Sequence, residues 1–105
     1  MIPRTDGIPS VAIVAGGLAG LATALNLRDR ARAEGRDLQV TVFEKGPAAG
    51  GNLQTVRQGD WQLEWGPNGF LDNEPATLRL VDRLGIRDKL QRSSDATAHR
   101  FLLVD

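Results

Sequence analysis

The sequence has 105 residues, the size of one small domain, and its thirteen Lys and Arg residues balance thirteen Asp and Glu residues. This balance argues against a nucleic-acid-binding or polybasic membrane surface, while 41% hydrophobic and 25% charged residues are typical of a globular chain. The absence of Cys and the single His exclude a disulfide scaffold, Cys-ligated zinc, a thiol nucleophile and a multi-His metal site. We therefore predict no metal site and name no catalytic residue.

An uncharged run covers residues 7–27, roughly the length that can span a bilayer. A spanning helix would be richer in large apolar residues, and Gly16-Gly17 near the middle of the run would weaken it. A signal peptide is a second alternative, against which Asp6 and the lack of a small-residue cleavage site both count. We therefore expect no transmembrane segment.

The first half of the chain predicts a strand, a helix and a second strand. Ser10–Val14 is short, β-branched and uncharged, as buried parallel strands are. Within Leu18–Ala33 apolar residues recur at helical spacing, and Gly35 stands where a helix C-terminus is capped. Residues 38–43 form the second strand. Together these elements predict an α/β fold built on a parallel, right-handed βαβ unit.

The next elements predict a β-hairpin. Residues 45–51 are rich in Gly, Ala and Pro and form a loop. Residues 53–57 and 61–65 flank Gln58-Gly59-Asp60 as the two strands. Trp61, Leu63 and Trp65 alternate with polar residues, which predicts that one face of the second strand is buried.

A second helix follows the segment Gly66-Pro67-Asn68-Gly69. Asn73 and Glu74 can start it, Pro75 is tolerated in its first turn, and Gly85 can end it. A short helical segment at residues 87–91, a polar loop and a strand at residues 101–104 complete the chain. The apolar stripe of the helix consists of Leu78, Val81 and Leu84.

A glycine-rich segment lies where the first strand turns into the first helix. A dinucleotide-binding turn needs little side-chain bulk there, because the turn is tight, the backbone approaches a pyrophosphate, and helix and strand pack closely. The helix N-terminus also offers free N–H groups and the positive end of its dipole to phosphates. Close packing of a helix on a strand, without a ligand, is the alternative explanation. The predicted pyrophosphate-binding residues are Ala15, Gly16, Gly17, Leu18, Ala19 and Gly20.

Ala15 takes the place of the first glycine in the G-x-G-x-x-G pattern. Its methyl group costs little if φ is negative, but it crowds the turn and the helix start.

Glu44 follows the second strand, where a carboxylate can accept hydrogen bonds from ribose hydroxyls and disfavours a 2′-phosphate. Its spacing from the glycines is longer than usual, which the insertion-like residues 31–36 explain. A solvated acid at a strand end is the alternative. Gly50-Gly51, six residues later, can bring a further backbone segment close to the nucleotide or form an ordinary flexible loop. The order strand, glycines, helix, strand and acid favours an adenine dinucleotide.

Three segments also resemble a known family. Residues 44–52, Glu-Lys-Gly-Pro-Ala-Ala-Gly-Gly-Asn, resemble the E-x(5)-G-G continuation of FAD-dependent amine-oxidase-type flavoproteins. Residues 63–77, which include Gly-Pro-Asn-Gly-Phe, are similar to the GPNSF-type segment of protoporphyrinogen oxidases. Residues 98–103 resemble the stretch of that family that ends in Arg-Phe-Leu. The resemblance runs over residues 11–104, nearly the whole chain.

The resemblance implies non-covalently bound FAD and oxidation of a porphyrinogen to a porphyrin in haem biosynthesis, with oxygen as the usual electron acceptor. We also expect a cytoplasmic protein, with peripheral contact at the inner membrane left open. Arg100 is expected to meet a carboxylate of the porphyrinogen. Gly69 stands where many members have Ser. By resemblance, Glu44 contacts the adenosine ribose, and the residues on the pyrophosphate and flavin side are Gly51, Asn52, Gly66, Pro67, Asn68 and Gly69.

Members of this family are several times longer than this chain. We therefore expect residues 1–105 to be the incomplete N-terminal part of a Rossmann-like FAD-binding domain, inactive without the remainder of its own chain. A domain cut in this way exposes apolar faces that the missing parts should cover. Another FAD oxidoreductase of the amine-oxidase or carotenoid-desaturase type and a non-catalytic nucleotide-binding module remain alternatives.

Overall fold

The computed structural model describes residues 7–95, and the chain divides into two compact units, residues 1–70 and 71–105. The assignment of residues 1–105 to one domain stays a prediction. Within residues 7–95 no helix is both long enough and apolar enough to cross a membrane. The elements are β1 (Ser10–Val14), α1 (Leu18–Ala33), β2 (Gln39–Phe43), β3 (Thr55–Gln58), β4 (Trp61–Glu64), α2 (Pro75–Arg83) and a 3₁₀ turn (Arg87–Lys89).

β1, α1 and β2 form the predicted strand–helix–strand unit. The two strands pair in parallel, in a register that runs from Ser10 opposite Gln39 to Val14 opposite Phe43, and α1 contacts both of them. Because the strands are parallel, both chain segments leave the sheet at the same edge. Residues 15–17 follow β1 there, and Glu44 follows β2.

α1 ends in a Schellman motif. The N–H of Arg36 donates to the carbonyl oxygen of Ala31 at 2.9 Å, and the N–H of Gly35 donates to that of Arg32 at 3.1 Å. Gly35 has a φ of +63°, a conformation that glycine adopts without steric cost. The predicted role of Gly35 at the end of the helix is confirmed.

β3 and β4 form the predicted hairpin, with slightly shorter strands and a turn at Gly59-Asp60. Gly59 has a φ of +58°. Cross-strand pairing places Val56 opposite Leu63, whereas the neighbouring pair Thr55 and Glu64 lies on the other face. On that polar face the Thr55 hydroxyl donates to Glu64 Oε2 at 2.8 Å.

The predicted burial of one face of β4 is wrong. Trp61 is 75% exposed, Leu63 51% and Trp65 77%. An isolated two-stranded hairpin cannot cover its own apolar face, because stable burial needs a third strand or a packed helix. The alternation predicts which side chains share a face and does not determine whether that face is covered. Among the described residues, the buried apolar side chains are Ala31 and Val81.

α2 begins and ends where the sequence predicts. The Glu74 side chain caps it by accepting a hydrogen bond from the N–H of Ala76 at 3.4 Å, and Pro75 occupies the first turn. At the other end Gly85, with a φ of +66°, donates its N–H to the carbonyl oxygen of Asp82 at 3.0 Å.

The 3₁₀ turn Arg87–Lys89 replaces the slightly longer helical segment predicted at residues 87–91. The Arg87 guanidinium binds the Asp82 carboxylate through two hydrogen bonds, one of them between Nη2 and Oδ2 at 2.7 Å. These bonds lower the pKa of Asp82. The predicted strand at residues 101–104 and Arg100 lie outside the described residues.

Candidate nucleotide-binding site

Glu44 and the glycine turn are joined by a hydrogen bond at the carboxyl edge of the β1–β2 sheet. The N–H of Gly16 donates to Glu44 Oε2 at 2.8 Å, although the two residues are 28 positions apart. The N–H of Gly46 donates to the other oxygen, Oε1, at 2.7 Å. The acid and the glycines that the sequence singles out therefore lie together, and two backbone N–H groups fix the orientation of the carboxylate.

These N–H groups change the acidity of Glu44. The hydrogen bond from Gly46 and then the one from Gly16 hold the pKa of the carboxyl below its ordinary value of 4.5, against a smaller opposing effect of desolvation. The group is therefore ionised at neutral pH and acts only as an acceptor. The side chain is exposed, and each carboxylate oxygen has a second lone pair available for a ligand hydroxyl.

The second glycine pair lies against the first. The N–H of Gly50 donates to the carbonyl oxygen of Gly16 at 2.8 Å, and Gly50 forms a parallel bridge with Gly17. Gly51 has a φ of +60°, and a Cβ added to it would lie 3.2 Å from the Cα of Gly17. The Gln54 side chain closes this loop by donating Nε2–H to the carbonyl oxygen of Gly51 at 2.9 Å. The loop is therefore bonded to the glycine turn, and an unattached flexible loop is excluded.

Gly16 and Gly20 are buried, and neither position has room for a side chain. A Cβ on Gly20 would lie 1.9 Å from the carbonyl oxygen of Ala15, so the first turn of α1 packs directly on the end of β1. A Cβ on Gly16 would lie 2.8 Å from Glu44 Oε2. The lack of a side chain at Gly16 therefore makes room for the Glu44 carboxylate, and the lack of one at Gly20 lets α1 pack on the end of β1.

Ala15 has a φ of 155°, in a region that glycine favours and that non-glycine residues rarely adopt. The methyl group of Ala15 would cost little only if its φ were negative. Because the φ is positive, that low cost does not apply. A conformation of this kind typically costs about 1–3 kcal/mol, and it is kept only where the surrounding structure enforces it.

The N-terminus of α1 carries no side-chain cap. Gly17 is the N-cap residue, the first turn contains no acidic residue, and the first helical hydrogen bond runs from the N–H of Leu21 to the carbonyl oxygen of Gly17 at 3.0 Å. As in any α-helix, the N–H groups that precede Leu21 have no acceptor within the helix. The turn therefore offers donors and the positive end of a helix dipole, without side-chain bulk, which is the donor set a pyrophosphate requires.

Asn52 and Gly66 are also neighbours. A Cβ on Gly66 would lie 1.8 Å from the carbonyl oxygen of Asn52, and next to it the N–H of Trp65 donates to the carbonyl oxygen of Gln54 at 2.8 Å. The hairpin thus places the residues before β3 beside those after β4. Pro67, Asn68 and Gly69 are exposed and have no regular secondary structure, and the flavin-side role of this group stays a prediction.

Sequence reasoning missed three features of this site. The N–H of Gly46 as a partner of Glu44 could have been anticipated from a glycine two residues after the acid. The strained φ of Ala15 could have been anticipated from its place in the glycine pattern. The Gln54 side chain, which closes the loop, gives no sequence signal.

The fold and the site define a mixed α/β protein in which a glycine turn meets an acid from the next strand. The family described as "Flavin containing amine oxidoreductase" matches residues 18–105, and the chain belongs to this family. The resemblance of residues 44–52 to amine-oxidase-type flavoproteins is thereby confirmed. Membership implies FAD as the cofactor, and the bare glycine turn, its helix N-terminus and the Glu44 carboxylate fit the pyrophosphate and ribose of such a ligand.

Curated proteins that are similar to the chain include several named as porphyrinogen oxidases. The chain is 33% identical over 101 residues to coproporphyrinogen III oxidase of Bacillus subtilis. That alignment covers 96% of this chain and 21% of the relative. It is 40% identical over 81 residues to protoporphyrinogen oxidase 2, chloroplastic/mitochondrial, of Arabidopsis thaliana. That alignment covers 77% of this chain and 15% of the relative. Coproporphyrinogen III oxidase of Mycobacterium leprae is 33% identical over 87 residues, or 83% of this chain and 19% of the relative. The chain thus spans about a fifth of the length of these curated relatives.

Proposed function

We propose that the protein to which this chain belongs is an FAD-dependent oxidoreductase that oxidises a porphyrinogen to a porphyrin in haem biosynthesis. Residues 10–44 act in it as the Rossmann-like unit that binds the adenosine diphosphate part of FAD. The observation that supports this most strongly is the hydrogen bond that joins Gly16 of the glycine turn to Glu44 at 2.8 Å. The substrate class is supported by relatives named for coproporphyrinogen and protoporphyrinogen.

Each part of the chain has a distinct task in this function. The N–H groups at the start of α1 bind the pyrophosphate, and the free lone pairs of Glu44 accept the adenosine ribose hydroxyls. Asn52 and the segment Gly66–Gly69 line the route toward the flavin. Arg100 binds a propionate of the substrate through two parallel N–H donors. FAD, when bound, accepts the electrons that leave the porphyrinogen, and oxygen is the proposed final acceptor.

The cofactor is tested on the purified protein in its full natural length. We expect a yellow protein that releases FAD when denatured and that does not bind NADH tightly. A colourless protein that binds NADH tightly would contradict the assignment of the cofactor.

The substrate is tested by supplying protoporphyrinogen and coproporphyrinogen separately and following formation of the coloured porphyrin. We expect one of the two to be oxidised with consumption of oxygen. A flavin-containing protein that oxidises neither porphyrinogen, but does oxidise an amine or a carotenoid precursor, would overturn the substrate class and leave the FAD assignment in place.

A further inference from the structure

We propose that Glu44 is a positioning residue for the phosphate-binding turn, in addition to its contact with ribose. Its carboxylate holds the backbone of the glycine turn in its binding shape before any nucleotide is present. The consequence for binding rests on the proposed function, whereas the effect on the ligand-free turn does not.

Gly16 connects the three parts of the site. Its N–H donates to Glu44 Oε2 at 2.8 Å, and its carbonyl oxygen accepts the N–H of Gly50 at 2.8 Å. The two main-chain polar groups of Gly16 are thus both engaged within the protein. The Gly16 N–H is therefore not a phosphate donor, and the donors that remain for the pyrophosphate are those at the start of α1. Gly16 shapes the turn and the helix N-terminus binds the ligand.

Each oxygen of the Glu44 carboxylate accepts a backbone N–H, so the carboxylate is fixed and in turn fixes the position of the glycine turn. The N–H of Gly46 fixes Oε1 at 2.7 Å, which leaves Oε2 directed at Gly16. Glycine at position 16 is required for this approach, since a Cβ there would lie 2.9 Å from the Cβ of Glu44. A second Cβ, on Gly46, would lie 3.2 Å from Oε1. The lack of side chains at Gly16 and Gly46 thus lets the two oxygens of the Glu44 carboxylate approach the backbone N–H groups of these residues.

The glycine turn needs this support because its own residues do not stabilise its conformation. Ala15 holds a φ of 155°, and the N-cap Gly17 supplies no side-chain hydrogen bond. Strained backbone of this kind persists only where neighbouring contacts enforce it. The hydrogen bonds from the Gly16 N–H to Glu44 and from the Gly50 N–H to the carbonyl oxygen of Gly16 are contacts that do so.

The first experiment measures amide hydrogen exchange in the ligand-free, full-length protein. Glu44→Gln keeps the size of the side chain but leaves one acceptor oxygen for two N–H groups. Exchange of the peptides that contain Gly16 and Gly50 should become about tenfold faster, the factor expected for loss of one charge-assisted hydrogen bond. Glu64→Gln, which changes an exposed carboxylate of the hairpin, should leave both peptides at the wild-type rate. Unchanged exchange in Glu44→Gln would overturn the proposal.

The second experiment separates positioning from ribose binding. FAD and an FAD analogue whose adenosine ribose lacks the 2′ and 3′ hydroxyls are titrated against the apo forms of the wild type and Glu44→Gln. If Glu44 served only the ribose, the substitution would not alter affinity for the analogue, and the proposal would fail. We expect Glu44→Gln to bind the analogue about tenfold more weakly than the wild type does, because the glycine turn of the variant is disordered.

The two possible failures are distinguishable. A wild type that does not bind FAD contradicts the proposed function, and the exchange measurement still decides the positioning role. If Glu44→Gln does not fold, Glu44→Asp keeps the charge but shortens the reach to Gly16. Glu44→Asp should show the same faster exchange, and wild-type exchange in it would overturn the proposal.

Discussion

Gly20 lies directly against the carbonyl group of Ala15, so that a Cβ on Gly20 would be 1.9 Å from the carbonyl oxygen and 3.0 Å from the carbonyl carbon. The next nearest group is Cγ2 of Ile13, at 3.4 Å. Glycine in the middle of a helix costs about 0.5–1 kcal/mol relative to alanine. Its presence in the first turn of α1 is therefore explained by close contact between helix and strand, and that contact brings the helix N-terminus to the edge where Glu44 lies.

Gly20→Ala should destabilise the protein and abolish tight FAD binding. The new methyl group meets backbone atoms, which cannot move aside as a flexible side chain would, and overpacking of this kind costs about 1–3 kcal/mol. Urea unfolding and flavin content are the measurements. Gly69→Ala is the matched control for stability, because a Cβ at Gly69 meets nothing within 4 Å, and its unfolding free energy should change by less than about 0.5 kcal/mol. If the Gly20→Ala protein were as stable as the Gly69→Ala protein, the close packing of Gly20 on the carbonyl group of Ala15 would be contradicted.

Ala15→Gly should stabilise the turn and tighten FAD binding modestly. The φ of 155° at Ala15 lies in a region where glycine meets no steric penalty, so relief of about 1 kcal/mol is expected. Thermal unfolding and FAD titration of the apoprotein check this. Ala22→Gly, within α1, should instead destabilise by about 0.5–1 kcal/mol, since it only adds backbone freedom to a helix. Equal destabilisation by both substitutions would show that the turn accommodates the methyl group without strain.

The glycine turn should loosen in acid. The pKa of Glu44 is lowered in the folded state, first by the N–H of Gly46 and then by that of Gly16, so its contribution to stability is complete above the ordinary value of 4.5. The contribution is lost as the pH falls through the lower, folded-state pKa, because protonation removes the charge that the N–H groups stabilise. Wild type should therefore be more stable than Glu44→Gln at neutral pH, and the difference should shrink as the pH falls below 4.5. A difference that is independent of pH would contradict this account, and Glu64→Gln is the control.

Arg100→Ala should raise the KM for a propionate-bearing porphyrinogen more than tenfold, while flavin content stays the same. Loss of a hydrogen bond to a charged group costs about 1.5–3 kcal/mol, and the guanidinium offers two parallel donors to a carboxylate. Arg100→Lys should recover only part of the effect, because an ammonium group cannot reproduce that geometry. Arg92→Ala, in the polar loop, is the matched control. An unchanged KM, or loss of FAD together with activity, would exclude a direct substrate contact.

Local sequence signals predicted the elements closely where the responsible forces are local. Gly35 and Gly85 end α1 and α2 in positive-φ conformations that other residues adopt at a cost, and Glu74 with Pro75 starts α2. β1 coincides with the predicted strand, and β2 begins one residue later than predicted. The burial of the Trp61 face was predicted incorrectly, because burial depends on what packs against a strand and not on its alternation.

The sequence by itself determined the order of the elements, the glycine turn, the acid after β2 and the resemblance to flavoproteins. These follow from residue spacing and from backbone preferences that act within a few positions of the chain. Only the tertiary structure decided that Glu44 binds Gly16 and that Gly50 lies against the same glycine. The physical reason is that parallel pairing of β1 with β2 brings together backbone groups about 30 residues apart, and no local pattern encodes the distance between them.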